Sequence, residues 1–90
     1  MNTGTGRIRE EGMPTLLIWH GCKFRFYALD QGEPAHIHVV KDDKSLKVWL
    51  ETMAVARNIG YNEREVERIM SVVAEHRNEW MEAWNGFFGI

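Results

Sequence analysis

The sequence predicts a two-layer α+β domain: a four-stranded, mainly antiparallel sheet packed against a long C-terminal helix. Three observations carry this expectation. Residues 15–51 hold short apolar runs divided by Gly-, Pro- and Asp-containing turns, and the better defined runs alternate apolar and polar residues, the period of a half-solvated strand. Residues 63–88 place Val66, Ile69, Met70, Val73, Trp80, Met81, Trp84, Phe87 and Phe88 at helical spacing. Strands come first and the helix last, so one face of the sheet is covered and the other faces solvent.

Ninety residues allow one small domain. Residues 1–12 carry, after Met1, a single large apolar residue, Ile8, and are expected to be a mobile tail, with the folded unit spanning 13–90 from Met13. The formal charge of −2 and a pI of about 6.1 argue against wholesale attraction to nucleic acid, while leaving room for a local basic face. One cysteine, Cys22, excludes an internal disulfide and a cysteine-based zinc finger, and it suits a reducing cytoplasm. No apolar run approaches the roughly 20 residues of a membrane helix, and no signal-peptide pattern is present.

The elements follow in order. Thr15–His20 is a short apolar run ending at a His20-Gly21 hairpin signal; its register leaves either Leu16 and Ile18 or Leu17 and Trp19 facing the core. Cys22–Tyr27 alternates strictly, with Phe24 and Phe26 inward and Lys23, Arg25 and Tyr27 outward. A polar loop from Leu29 to Pro34 leads into a strand over Ala35–Val40. Lys41–Lys44 reads as a four-residue turn, and Ser45–Glu51 as the next strand, with Leu46, Val48 and Leu50 on one side. Pairing Val40 with Ser45 sets His38 opposite Lys47, Ile37 opposite Val48 and His36 opposite Trp49, and the apolar faces then agree. Residues 52–61 fit either a strand or a helical turn. Asn62 is an N-cap with Glu65 three residues on. A helix over 63–88 would span roughly 39 Å, so it either breaks near Asn85-Gly86 or projects. In the second case exposed Trp84, Phe87 and Phe88 would form an interface with a partner protein or a second copy.

Chemistry concentrates at His36 and His38, which stand side by side on one strand face. Three readings are open: sheet histidines shielded by Trp49 and Tyr27; half of a divalent-metal site, with Asp30, Glu33, His20 or His76 as a third donor; or a catalytic acid–base pair acting on a phosphodiester. In the last, Lys23, Arg25 and Lys47 would stabilise phosphate charge, while Tyr27 or Trp49 would stack on a base. No cofactor is required by the sequence, and whether the chain is an enzyme stays open. His76 and Arg77 fall beside the helix's apolar stripe and read first as core-edge packing.

Met13-Pro14-Thr15, Pro34-Ala35-His36-Ile37-His38-Val39, Lys47-Val48-Trp49-Leu50, Asn58-Ile59-Gly60-Tyr61 and Glu75-His76-Arg77 with Trp84-Asn85, in this order, resemble the prokaryotic domain-of-unknown-function family 4160 over roughly residues 13–89. That family often has Pro-Pro before the first histidine, where Glu33-Pro34 stands here. The resemblance implies a small cytoplasmic protein in a gene context like that of toxin–antitoxin pairs. It would act on RNA or a cognate partner protein through the open sheet face. The rival class is a non-catalytic interaction or homodimerisation module.

Overall fold

The computed structural model describes residues 14–89. The expected tail over 1–12, and Met13, lie outside them. The elements are β1 (Thr15–Trp19), β2 (Cys22–Arg25), a 3-10 turn (Ala28–Asp30), β3 (His36–Lys41), β4 (Lys44–Trp49), β5 (Val55–Ile59) and α1 (Glu63–Phe88). The strands lie in the order β1-β2-β3-β4-β5, each antiparallel to its neighbour in sequence, which makes the sheet a plain meander.

The sheet therefore has five strands where four were expected, and β5 settles the ambiguous 52–61 stretch. All five of its residues are exposed, with Val55 at 41% and Ile59 at 49%. A strand uncovered on both faces needs no apolar alternation, which is why its pattern does not announce it.

Both early hairpins close through tight turns. His20 and Gly21 take left-handed φ values of 50° and 80°, as a two-residue turn between right-twisted strands requires. The Lys41–Lys44 turn is tighter than expected: Lys41 and Lys44 are themselves paired, leaving only Asp42 and Asp43 in the loop. The β3–β4 register is the one the alternation predicts, including His36 opposite Trp49 and His38 opposite Lys47. In β1 a register irregularity between Thr15 and Leu17 lets Leu16, Leu17 and Trp19 all pack on the core, while Ile18 is exposed.

The helix starts where its capping residues place it. The Asn62 side chain accepts from the Glu65 backbone N–H, and the Glu65 carboxylate accepts from the Asn62 N–H. It then runs unbroken through Gly86 to Gly89, whose left-handed φ of 71° ends it. Its buried stripe of Ile69, Val72, Val73, Trp80 and Trp84 covers Phe24, Phe26, Ile37, Val39, Leu46, Val48 and Leu50. Burying each such side chain stabilises the fold by about 1.5–3 kcal/mol. Tyr61 donates from its hydroxyl to the Val39 carbonyl at 3.0 Å, tying the approach to α1 onto β3.

Both alternatives for the helix end are corrected: it does not break near Asn85-Gly86, and Trp84, Phe87 and Phe88 are not left exposed. Trp84 is 2% exposed, meeting Phe26 with ring centroids 5.1 Å apart. Phe87 meets Phe26 at 6.1 Å and Phe88 meets Trp84 at 4.4 Å, both partly buried. The chain beyond the last residue of β2 continues the lower layer, so the extra helical length is covered rather than left bare. Among the described residues no helix is long and apolar enough to cross a membrane.

Candidate metal centre

His36 and His38 occupy the first and third positions of β3, and alternation sends both rings to one side. The 3-10 turn over Ala28–Asp30 folds the β2–β3 connection back so that Asp30 meets them. Asp30 Oδ2 lies 2.8 Å from His36 Nε2 and 2.7 Å from His38 Nε2, and the two Nε2 atoms are 3.2 Å apart. Three ligand-type atoms thus converge within 4.8 Å of one another.

The fourth polar atom decides what the triangle can hold. His36 Nδ1 lies 2.9 Å from the Pro34 carbonyl oxygen, which only accepts, so Nδ1 carries a hydrogen. In a neutral ring, Nε2 then presents a lone pair to the Asp30 carboxylate and to His38. Lone pairs aimed at a carboxylate repel. A positive species must sit between them: either protons on both Nε2 atoms, which gives His36 a hydrogen on each nitrogen, or one metal cation replacing them. A ring N–H held by a backbone carbonyl is also the usual outer support of a metal-ligating histidine. With metal–donor distances of about 2.0–2.2 Å, donors at right angles are about 2.9 Å apart. The observed separations bracket that value, as in a two-histidine, one-carboxylate facial arrangement with further positions open.

Burial sets the electrostatics. His36 is 0% exposed, walled by Trp49 and Trp84 with ring centroids at 5.4 and 4.9 Å. It is thus fully enclosed, and Trp84 joins Trp49 as its shield. His38 and Asp30 keep 12% and 16% of their side-chain surface, so solvent reaches the triangle from their side. Burial pushes the His38 ring below its ordinary pKa, although the Asp30 hydrogen bond and charge pull the other way. Burial pushes Asp30 up, but the hydrogen bonds from His38 and His36 and their charges together outweigh it, and its carboxyl lies below the usual range. A neutral imidazole beside an ionised carboxylate is the state in which such groups bind metal.

The remaining sequence candidates separate clearly. Arg25, His38 and Lys47 are direct cross-strand neighbours on the face opposite to that of Phe24, Val39 and Leu46. Lys23 lies on the same face, two residues from Arg25 along β2. Tyr27 packs on His38 at 4.4 Å, with the Arg25 guanidinium 5.1 Å from its ring. Lys47 pairs with Glu33 at 2.9 Å and lies 4.6 Å from the Trp49 ring centre. Glu33 thus serves Lys47 more closely than the histidines, its nearest approach to His36 being 3.7 Å. His76 stacks on Trp80 at 4.7 Å, and Arg77 donates to the Leu50 and Glu51 carbonyls, so both are packing residues distant from the triangle. His20 lines a cleft of about 180 Å³ at the other end of the sheet with Trp19, Lys41, Tyr61 and Arg68; none of the three donors borders it.

One residue escapes sequence reasoning and another is left unselected by it. Asp30 is one of four candidate third donors, with Glu33, His20 and His76, and only the 3-10 turn selects it. Arg57 lies directly opposite Lys47 on β5, the strand whose existence the pattern left open.

The class of protein is therefore a two-layer α+β domain carrying a two-histidine, one-aspartate donor set on its sheet. The chain belongs to the family described as Domain of unknown function (DUF4160), whose family model matches residues 21–85, a span holding all three donors. No curated protein and no solved structure matches it.

Proposed function

We propose that this chain is a metal-binding protein in which Asp30, His36 and His38 hold one divalent first-row transition ion, and that it acts through the open sheet face around that ion. The observation that supports this reading is the donor triangle: Asp30 Oδ2 and the two histidine Nε2 atoms converge on one point, and with His36 Nδ1 held on the Pro34 carbonyl one cation can take the place of the hydrogens between them. Two imidazoles and a carboxylate suit Zn²⁺, Fe²⁺, Mn²⁺ or Ni²⁺ better than the oxygen-seeking Mg²⁺ or Ca²⁺. A bound ion would polarise an oxygen ligand and ease deprotonation of water. The acid–base pairing of His36 with His38 fits less well, because His36 has no exposed surface to offer a substrate. In the toxin–antitoxin-like setting that the family resemblance implies, the target on this face is RNA or a partner protein.

The test is isothermal titration of the chelator-stripped chain with each of the four ions. One ion per chain is expected, weakened at least tenfold by Asp30→Ala and by His38→Ala. A wild-type chain that takes up none of them, or variants that bind as the parent does, would refute the reading.

A further inference from the structure

We infer that the open face binds single-stranded nucleic acid through its phosphodiester backbone, laid across the strands so that one phosphate meets the ion held by Asp30, His36 and His38. The inference rests on the metal reading of the same face and decides its substrate class.

The observation behind it is a row that only the pairing reveals. Arg25, His38, Lys47 and Arg57 are successive direct partners across β2, β3, β4 and β5. Directly paired residues of an antiparallel sheet share a face. Three inter-strand steps of about 4.8 Å put this row at about 14 Å, the reach of a few nucleotides. It carries three permanent cations and a metal-ligating histidine in a chain whose overall charge is −2, so the positive charge is local. No acidic residue stands in the row. Asp30 is engaged by the histidines, and Glu33 pairs with Lys47 at the margin, where a phosphate can displace it. Arg57 is exposed and forms no ion pair among the described residues.

Aromatic rings adjoin the row. Tyr27 sits against Arg25 and His38, and Trp49 against Lys47 and His36. Cations that follow a backbone, with rings beside them for bases, are the usual equipment of a single-strand groove. A protein partner would ask for an apolar interface centre, and the row presents none.

Fluorescence anisotropy with the full chain and a short labelled oligouridylate, repeated with oligothymidylate, tests this. Phosphate contacts at Lys47 and Arg57 predict that log affinity falls with log salt at a slope of about −1.4, at about 0.7 per contact on a single strand. Arg57→Ala should reduce that slope by about 0.7, and Arg64→Ala, exposed on α1, should leave it unchanged. Mn²⁺ should tighten binding by the parent but not by Asp30→Asn. A preference for oligouridylate assigns the site to RNA, and equal affinity assigns it to either backbone; both support the inference. Failure to bind either oligonucleotide, or a slope indifferent to Arg57→Ala, overturns it. So does capture of an acidic polyglutamate peptide in place of the oligonucleotides, which would give the face to a protein partner. Metal titration of the same samples separates the two claims: ion uptake without oligonucleotide binding sinks this inference alone, whereas oligonucleotide binding without ion uptake sinks the metal reading and the placement of a phosphate at the ion.

Discussion

At the scale of single residues, His36 does more than ligate. Its ring fills the space between Trp49 and Trp84 and satisfies both the Pro34 carbonyl and Asp30. Removing it empties buried volume and strips a mostly buried carboxylate of a partner. His36→Ala should therefore cost about 2–4 kcal/mol in the metal-free protein, read by urea denaturation in the presence of a chelator. A cost under about 1 kcal/mol would mean the ring is not packed as described. The histidine pair was legible in the sequence because strand alternation is a strict local rule. Asp30 was legible only as one of four candidate third donors, because a carboxylate six residues upstream meets the rings only if the loop makes a 3-10 turn. The burial of His36 was equally hidden, since it depends on Trp84, 48 residues away in sequence.

At the scale of elements, α1 is one continuous helix, and this is testable at Gly86. A Cβ there would meet nothing within 4 Å, and the position lies inside the helix, where glycine costs about 0.5–1 kcal/mol relative to alanine. Gly86→Ala should raise stability by that amount in thermal or urea unfolding; a helix broken at Asn85-Gly86 would instead be neutral or destabilised. The N-terminus of α1 gives a pH signature. The Glu65 carboxyl is held below its ordinary value first by the Asn62 backbone N–H and then by Lys44. A carboxylate with a lowered folded pKa contributes stability above its unfolded value of about 4.5, and the contribution fades as pH falls through the folded value. Glu65→Gln should thus flatten the acid limb of a melting-temperature profile below about pH 4.5, leaving its shape above pH 6 as in the parent. The capping box was readable because all its partners lie within four residues. The fifth strand was not, because β5 is held by backbone pairing to β4 and places no residue in the core.

At the scale of the whole molecule, the two faces of the sheet do different work. One is consumed by α1, whose Trp80 and Trp84 meet Phe24 and Phe26. The other gathers Arg25, His38, Lys47 and Arg57 beside the donor triangle. Alternation separates these sets on β2, β3 and β4, which is why the layer architecture could be read from the sequence, while Arg57 joins its set only through the shifted β4–β5 register. Which outward residues touch one another depends on strand order, and strand order depends on turns whose tightness composition signals only loosely. The length of α1 misled for a related reason: comparing helix with strand lengths ignores the chain beyond β2, where Phe26 extends the layer under Phe87.

The most direct test of the donor triangle is long-range ¹H–¹⁵N NMR of the imidazole rings as Zn²⁺ is added. One equivalent of zinc should be coordinated at Nε2 of both His36 and His38. The Nδ1 proton of His36 should be retained on the Pro34 carbonyl, and the His20 and His76 signals should be unmoved. Coordination through Nδ1 of His36, or spectra of His36 and His38 indifferent to the metal, would contradict it.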